Sequence, residues 1–200
     1  MSRAEARNQQ IREERTAQIL EVAARVFARK GLAETKITDI AAAGGMSQGL
    51  VYRYFASKEE IFASVVERAM NGAARLAQQA LEQPGTPWEK LSWIIAQTLP
   101  ELRERPAYSL VVLHALTNEA VSVNIRESAL RQSKIMSEVI RELIVEGQAA
   151  GQVLQGNPDE LTLLYQTLLQ GLAAGAMYLH YTPGYPSVEA VMHILKPSCA

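Results

Sequence analysis

The sequence predicts an all-α protein, and three observations predict it. Gly and Pro punctuation divides the chain into helix-length pieces. Within those pieces apolar residues recur at i, i+3, i+4 and i+7. Ser, Thr or Asn stand where the pieces begin, with acidic residues shortly after. The run Leu110-Val111-Val112-Leu113 resembles a buried strand, but it lies inside a helix-length segment without turn residues.

Taken in order, Ile19, Leu20, Ala23, Ala24, Val26 and Phe27 place an amphipathic helix over 16–30, stopped by Gly31. A short helix is expected over 37–43, broken at Gly44-Gly45, and a second over 48–54 after Ser47. Ser57-Lys58-Glu59-Glu60 has the spacing of a capping box, in which the Ser hydroxyl and the Glu carboxylate satisfy each other's amides. A long helix is expected from there to about 82. Thr86-Pro87-Trp88-Glu89 is a second box with Pro at the first helical position. Pro106 opens a helix to about 119. A long helix over 122–150 turns Ile125, Met136, Val139, Ile140, Leu143 and Ile144 inward, with Glu127 and Arg131 paired outside. Asn157 caps a helix over 158–182, and a last short one fits 187–196. The total is about nine or ten helices.

The bulk numbers narrow the function. The 200 residues are 48% hydrophobic and 20% charged, enough for a sizeable core in one or two domains. The net charge of −1 gives no global basic bias, so any nucleic-acid contact must come from a local patch. The one cysteine, Cys199, allows no intrachain disulfide and fits a reducing, cytoplasmic setting. The charged N-terminus has no apolar core of a secretory signal. No charge occurs between Glu160 and Glu189, a span long enough to cross a bilayer. Thr162, Gln166, Thr167, Gln170, His180, Pro183 and Pro186 interrupt it, so a helix buried against protein is the expectation.

Gly45-Met46-Ser47-Gln48-Gly49 spells G-x-S-x-G, which admits two readings. A nucleophile elbow needs a buried strand before the serine. Ile37-Thr38-Asp39-Ile40-Ala41-Ala42-Ala43 is alanine-rich and helix-periodic instead, although Asp159 with His180 or His193 satisfies the triad order on paper. A helix-turn-helix uses the same letters differently. Gly44 or Gly45 supplies a positive φ for the turn, and Ser47 caps the second helix. Val51 and Phe55 then face inward, Gly49 and Arg53 outward, and Leu50, Tyr52 and Tyr54 flank them. No acidic residue occurs between Asp39 and Glu59, as a phosphate-facing surface requires.

The stretch from about Thr16 to Phe62 resembles the N-terminal domain of the TetR family of transcriptional regulators. The residues that carry the resemblance are Val26-Phe27-Ala28-Arg29-Lys30-Gly31, Thr35 to Ala41, Gly45 to Phe55 and Ser57-Lys58-Glu59. The resemblance implies a three-helix DNA-binding domain over 1–62 and a larger helical ligand-binding and dimerisation domain over 63–200. It implies that 48–54 is the recognition helix, that Tyr52 and Tyr54 meet the DNA backbone, and that Lys58 meets a phosphate. Gln48 is placed to read a base edge, and Arg53 to meet guanine or phosphate. Thr35, Lys36 and Thr38 stand where the preceding helix begins, ready to anchor a phosphate. Leu50 either touches a thymine methyl or packs under Tyr54. Residues 1–15 are expected to be a solvated, partly frayed terminus, with a DNA-contacting arm as the alternative.

Helices 122–150 and 158–182 correspond to the family's pair that forms a four-helix dimer interface. Gly171 and Gly175, four apart and beside Leu168, Leu172 and Leu179, mark the two-fold seam, with a close contact inside one chain as the alternative. Trp93, Tyr108, His114, Met136 and Tyr165 are candidates for a mostly apolar effector pocket. No cofactor and no metal is expected, since three scattered histidines and a terminal cysteine have no ligand spacing. The expected partners are a pseudo-palindromic double-stranded operator, a second copy of the chain and a small-molecule effector, with no membrane. The competing expectations are a helical scaffold without DNA activity and, more remotely, a Ser47 hydrolase.

Overall fold

Helix-forming segments separated by Gly, Pro and capping residues should yield helices and little else, and they do. A computed structural model describes residues 3–179 and 184–197, without the side chains of Arg3, Ala4 and Leu179. The side chain of Leu179, expected at the seam, is therefore not described, and His180, a triad candidate, and Cys199 lie outside the described residues. Among the described residues there are nine α-helices and no strand. They are α1 (Arg3–Glu34), α2 (Ile37–Ala43), α3 (Gln48–Tyr54), α4 (Lys58–Glu82), α5 (Pro87–Glu104), α6 (Pro106–Thr117), α7 (Val123–Ala149), α8 (Pro158–Ala174) and α9 (Val188–Met192). A π-helical turn, Gly175–Leu179, follows α8, and a 3-10 turn, His193–Leu195, follows α9.

Capping explains most boundaries. Ser47 accepts from the Leu50 amide, Ser57 from the Glu60 amide, and Asn157 from the Asp159 amide. Thr86 and Glu89 form a reciprocal box, with Pro87 at the first helical position. Each such cap is worth about 1 kcal/mol. The Ser57 box differs from the expected pattern: the Glu60 carboxylate accepts from the Ala56 amide at 2.6 Å, one residue before the cap.

Two further differences concern helix length. Residues 3–15 are not frayed but continue α1, although every described side chain from Glu5 to Arg15 is exposed. Pairs one turn apart support this polar extension, with Gln9 donating to Glu13 at 2.7 Å and Gln10 to Glu14 at 3.0 Å. At its other end Gly31 breaks the helical path with φ 73° and ψ 174°. The helix expected over 158–182 keeps α geometry only to Ala174, and Gly175 opens the wider π turn.

Two clusters form the core. The first gathers Ile19, Ala23 and Phe27 of α1, Ile40 of α2, Val51 of α3, Phe62 and Val65 of α4, and Leu110 and Val111 of α6. Phe27 and Phe62 meet edge-to-face at 5.1 Å between ring centroids, a geometry worth about 1 kcal/mol beyond area burial. The second gathers Ala77 and Ala80 of α4, Leu91, Ile94 and Ile95 of α5, Val139, Ile140, Leu143 and Ile144 of α7, Leu161 and Tyr165 of α8, and Val191 and Met192 of α9. Helix α4 contributes to both, its first half to one and its second half to the other. The headpiece α1–α3 is thus packed on α4 and α6 rather than standing alone.

Candidate nucleic-acid interface

The candidate interface is built on the corner between α2 and α3. Helix α2 ends at Ala43; Gly44 has φ −95° and Gly45 has φ 62°, so Gly45 is the left-handed residue of the turn. A side chain at Gly45 would carry the left-handed penalty, about 1 kcal/mol or more. The Met46 amide then donates to the Ala41 carbonyl at 2.9 Å and closes the corner. Ser47 Oγ accepts from the Leu50 amide at 3.2 Å, which starts α3. Val51, fully buried, and Phe55 anchor α3 to the first core.

The helical period then decides what α3 shows to solvent. Gln48, Gly49 and Arg53 are exposed, and Tyr52 is 55% exposed. Tyr54 is half-buried and packs its ring on the first core. Leu50 is half-exposed and is not among the residues packed on that core. Of the two, Tyr54 is the one that packs.

Residues around the start of α2 fall into two kinds. Lys36 and Thr38 are exposed. Thr35 is fully buried, and its hydroxyl donates to the Gly31 carbonyl at 2.6 Å. That hydroxyl is committed to ending α1. Lys58 is similarly occupied: its ammonium donates to the carbonyls of Leu32 at 2.9 Å and Ala33 at 2.8 Å. One of its three N–H groups remains for another acceptor.

Asp39 is an acid of α2 close to this surface, and its charge is matched. Its carboxylate accepts from the Lys36 amide at 2.9 Å and pairs with Lys30 at 2.9 Å. The Lys36 amide first, and the Lys30 ammonium after it, hold the Asp39 carboxyl below the usual carboxylate range. The pair also joins α1 to α2. Lys36 and Asp39 have legible capping-box spacing, but nothing in the sequence pairs Lys30 with Asp39 nine residues on.

The remaining candidates do not form one site. Trp93, Met136 and Tyr165 belong to the second core, whereas Tyr108 packs against the first. His114, on α6, is half-buried, and its Nδ1 has no hydrogen-bond partner. Tyr165 is 1% exposed and its hydroxyl is likewise unpartnered; burial pushes this phenol up. Burial, helped by the Glu21 carboxylate alongside, also pushes the Tyr108 phenol up. None of the five lines either of two open clefts, one of about 310 Å³ beside Leu20 and Arg68, the other of about 340 Å³ between α7 and α8.

On α8, Leu168 and Leu172 pack half-buried on the second core. Gly171 is exposed, and a side chain there would meet nothing within 4 Å; Gly175 is buried. The exposed apolar residues of α8 are Leu163 and Leu164, at 64% and 60%. They escaped the sequence reading because the uncharged run 161–188 hides which leucines face inward. Asp159, the acid of the paper triad, is paired with Arg141 at 2.6 Å. No helix among the described residues is long and apolar enough to cross a membrane.

Comparison with known proteins agrees with this architecture. Residues 19–65 match the model for bacterial regulatory proteins of the tetR family. An uncharacterised HTH-type transcriptional regulator, YfiR of Bacillus subtilis (strain 168), is 33% identical over 46% of this chain and 45% of its own length. The chain thus spans about half the length of that curated relative. The TetR-family regulator PfmR of Thermus thermophilus superposes with a TM-score of 0.67 at 23% identity, covering 88% of this chain and 91% of that one. AibR, solved in complex with isovaleryl coenzyme A and operator DNA, superposes with a TM-score of 0.66 at 17% identity, covering 90% and 94%. These two share the fold. Residues 19–65, with the corner α2–Gly45–Ser47–α3 at their centre, are thus similar to the tetR family of bacterial regulatory proteins over the segment that forms the headpiece.

Proposed function

We propose that this protein is a sequence-specific DNA-binding transcriptional regulator, acting in the cytoplasm as a homodimeric repressor that a small, mostly apolar effector releases from its operator. One observation carries the reading. Helix α3 presents Gln48, Gly49, Tyr52 and Arg53 to solvent from a rigid corner, and no acid lies between Asp39 and Glu59. A face of that kind suits entry into a major groove. Gln48 and Arg53 read base edges or phosphate. Tyr52, Lys36 and Thr38 meet the backbone, joined by Tyr54 and the free N–H of Lys58. Thr35 and Ser47 hold the fold of the site and Leu50 lies at its edge. The operator-bound state of AibR supports DNA as the partner, and its isovaleryl coenzyme A supports an effector that carries an apolar acyl group.

Two-fold symmetry follows from the same reading, because paired recognition helices read half-sites one helical turn or a multiple apart. The exposed Leu163 and Leu164 of α8, about two turns before the uncovered Gly171, support an α7–α8 seam between two copies. Trp93, Met136 and Tyr165 would meet the effector from the second core, with the unpartnered Tyr165 hydroxyl as its polar contact. A hydrolytic role for Ser47 is not part of this reading, since its Oγ serves the Leu50 amide. The test is fluorescence anisotropy on the DNA flanking the protein's own reading frame. Tight, sequence-specific binding that weakens about tenfold or more in Arg53→Ala is expected. Binding indifferent to sequence and to Arg53 would sink it.

A further inference from the structure

The geometry points to Tyr178 as a positioning residue that ties the C-terminal body to the headpiece and tunes how firmly the headpiece is held for DNA. This deepens the proposed function and rests on it. The Tyr178 hydroxyl donates to the Ala28 carbonyl at 2.7 Å, across 150 residues of sequence. Ala28 lies in the last turn before the non-helical Gly31, where helical carbonyls run out of partners. The bond therefore joins the C-terminal body to the end of α1 that also receives Lys58 and Thr35. All three donors secure the segment from which α2 and α3 are hung.

What aims the phenol is the π turn. Tyr178 sits within Gly175–Leu179, where each turn of helix holds an extra residue. Returning that turn to α geometry changes the register by one residue, about 100° of rotation, and withdraws the hydroxyl. On the same side of this stretch of chain, Gln170 accepts from Ser109 of α6 at 3.0 Å, and Ala174 and Met177 pack on the first core. Tyr178 itself is 51% exposed, so its release uncovers little apolar surface. A rearrangement of α8 can thus reach the headpiece by one hydrogen bond, without dismantling the core between them.

The test compares the full-length wild type with Tyr178→Phe, which keeps the ring and removes the donor. Hydrogen exchange on the free protein is expected to speed up by about fivefold for amides of residues 28–55, in line with one lost net hydrogen bond. Exchange in the α7 core, Val139–Ile144, should not change. Kd for the flanking DNA fragment, by anisotropy, should rise by a similar factor of about five. Unchanged exchange over 28–55 overturns the latch. Faster exchange with unchanged Kd overturns its role in DNA binding. A wild type that ignores the DNA fragment refutes the regulator reading instead, and the exchange comparison still decides the latch.

Discussion

At the scale of single residues, the headpiece separates groups that build the corner from groups left free to touch a partner. Thr35 and Thr38 stand three apart near the start of α2, yet one is fully buried and the other exposed. Thr35→Val is therefore expected to cost about 1 kcal/mol in urea unfolding, the net worth of its bond to the Gly31 carbonyl. It should leave the salt dependence of DNA binding unchanged, whereas Lys36→Ala should lower that slope by about one. A Thr35→Val variant of full stability and reduced salt slope would show the hydroxyl on phosphate instead. Gly45→Ala is expected to cost about 1–2 kcal/mol because its φ is 62°. The sequence narrowed the left-handed residue to Gly44 or Gly45, since either can adopt the conformation; only the path of the chain past Met46 decides between them. It could not separate Thr35 from Thr38, nor reveal that Lys58 serves the end of α1. Those depend on how α1 and α4 come together, which local pattern does not encode.

At the scale of elements, local chemistry was most legible. The bounds of α2, α3 and α4 follow from Gly44-Gly45, Ser47 and Ser57, because caps and breakers act within one turn. The polar extension of α1 was not legible, since it buries nothing and so leaves no apolar period. The π turn was equally hidden: Gly171 and Gly175 suggested a close helix approach, but Gly171 stands in the open and only Gly175 lies inside. The α1–α2 junction gives a pH prediction. Asp39 is held below its ordinary 3.8 by bonds to its ionised form, so the native state favours the carboxylate. That stability is fully present above the ordinary value and lost as pH falls through 3.8 toward the lowered one. The difference in stability between wild type and Asp39→Asn should be constant from about pH 5 upward and shrink below 3.8. Acid unfolding followed by circular dichroism measures it, and a difference that grows as pH falls would reverse the sign.

At the scale of the whole molecule, α4 contributes side chains to both cores and so links the body to the headpiece. The helical layout of the body was legible from periodicity, but its surfaces were not. Leu163 and Leu164 interrupt no pattern in an uncharged helix, and only packing shows that they face out. If they form the seam between two copies, Leu164→Glu should raise the dimer dissociation constant by at least about tenfold. Sedimentation at micromolar concentration would show the shift to monomer, with helicity unchanged and DNA binding weakened in step. A Leu164→Glu protein that remains dimeric would place the seam elsewhere.

The central claim is that the exposed face of α3 reads DNA. A footprint across the DNA flanking the protein's own reading frame, repeated with a Tyr52→Ala/Arg53→Ala double variant, tests it most directly. The expected result is one protected, two-fold symmetric site, with half-sites about one helical turn or a multiple apart, that the double variant fails to protect. No protection by the wild type, or equal protection by the variant, would contradict it.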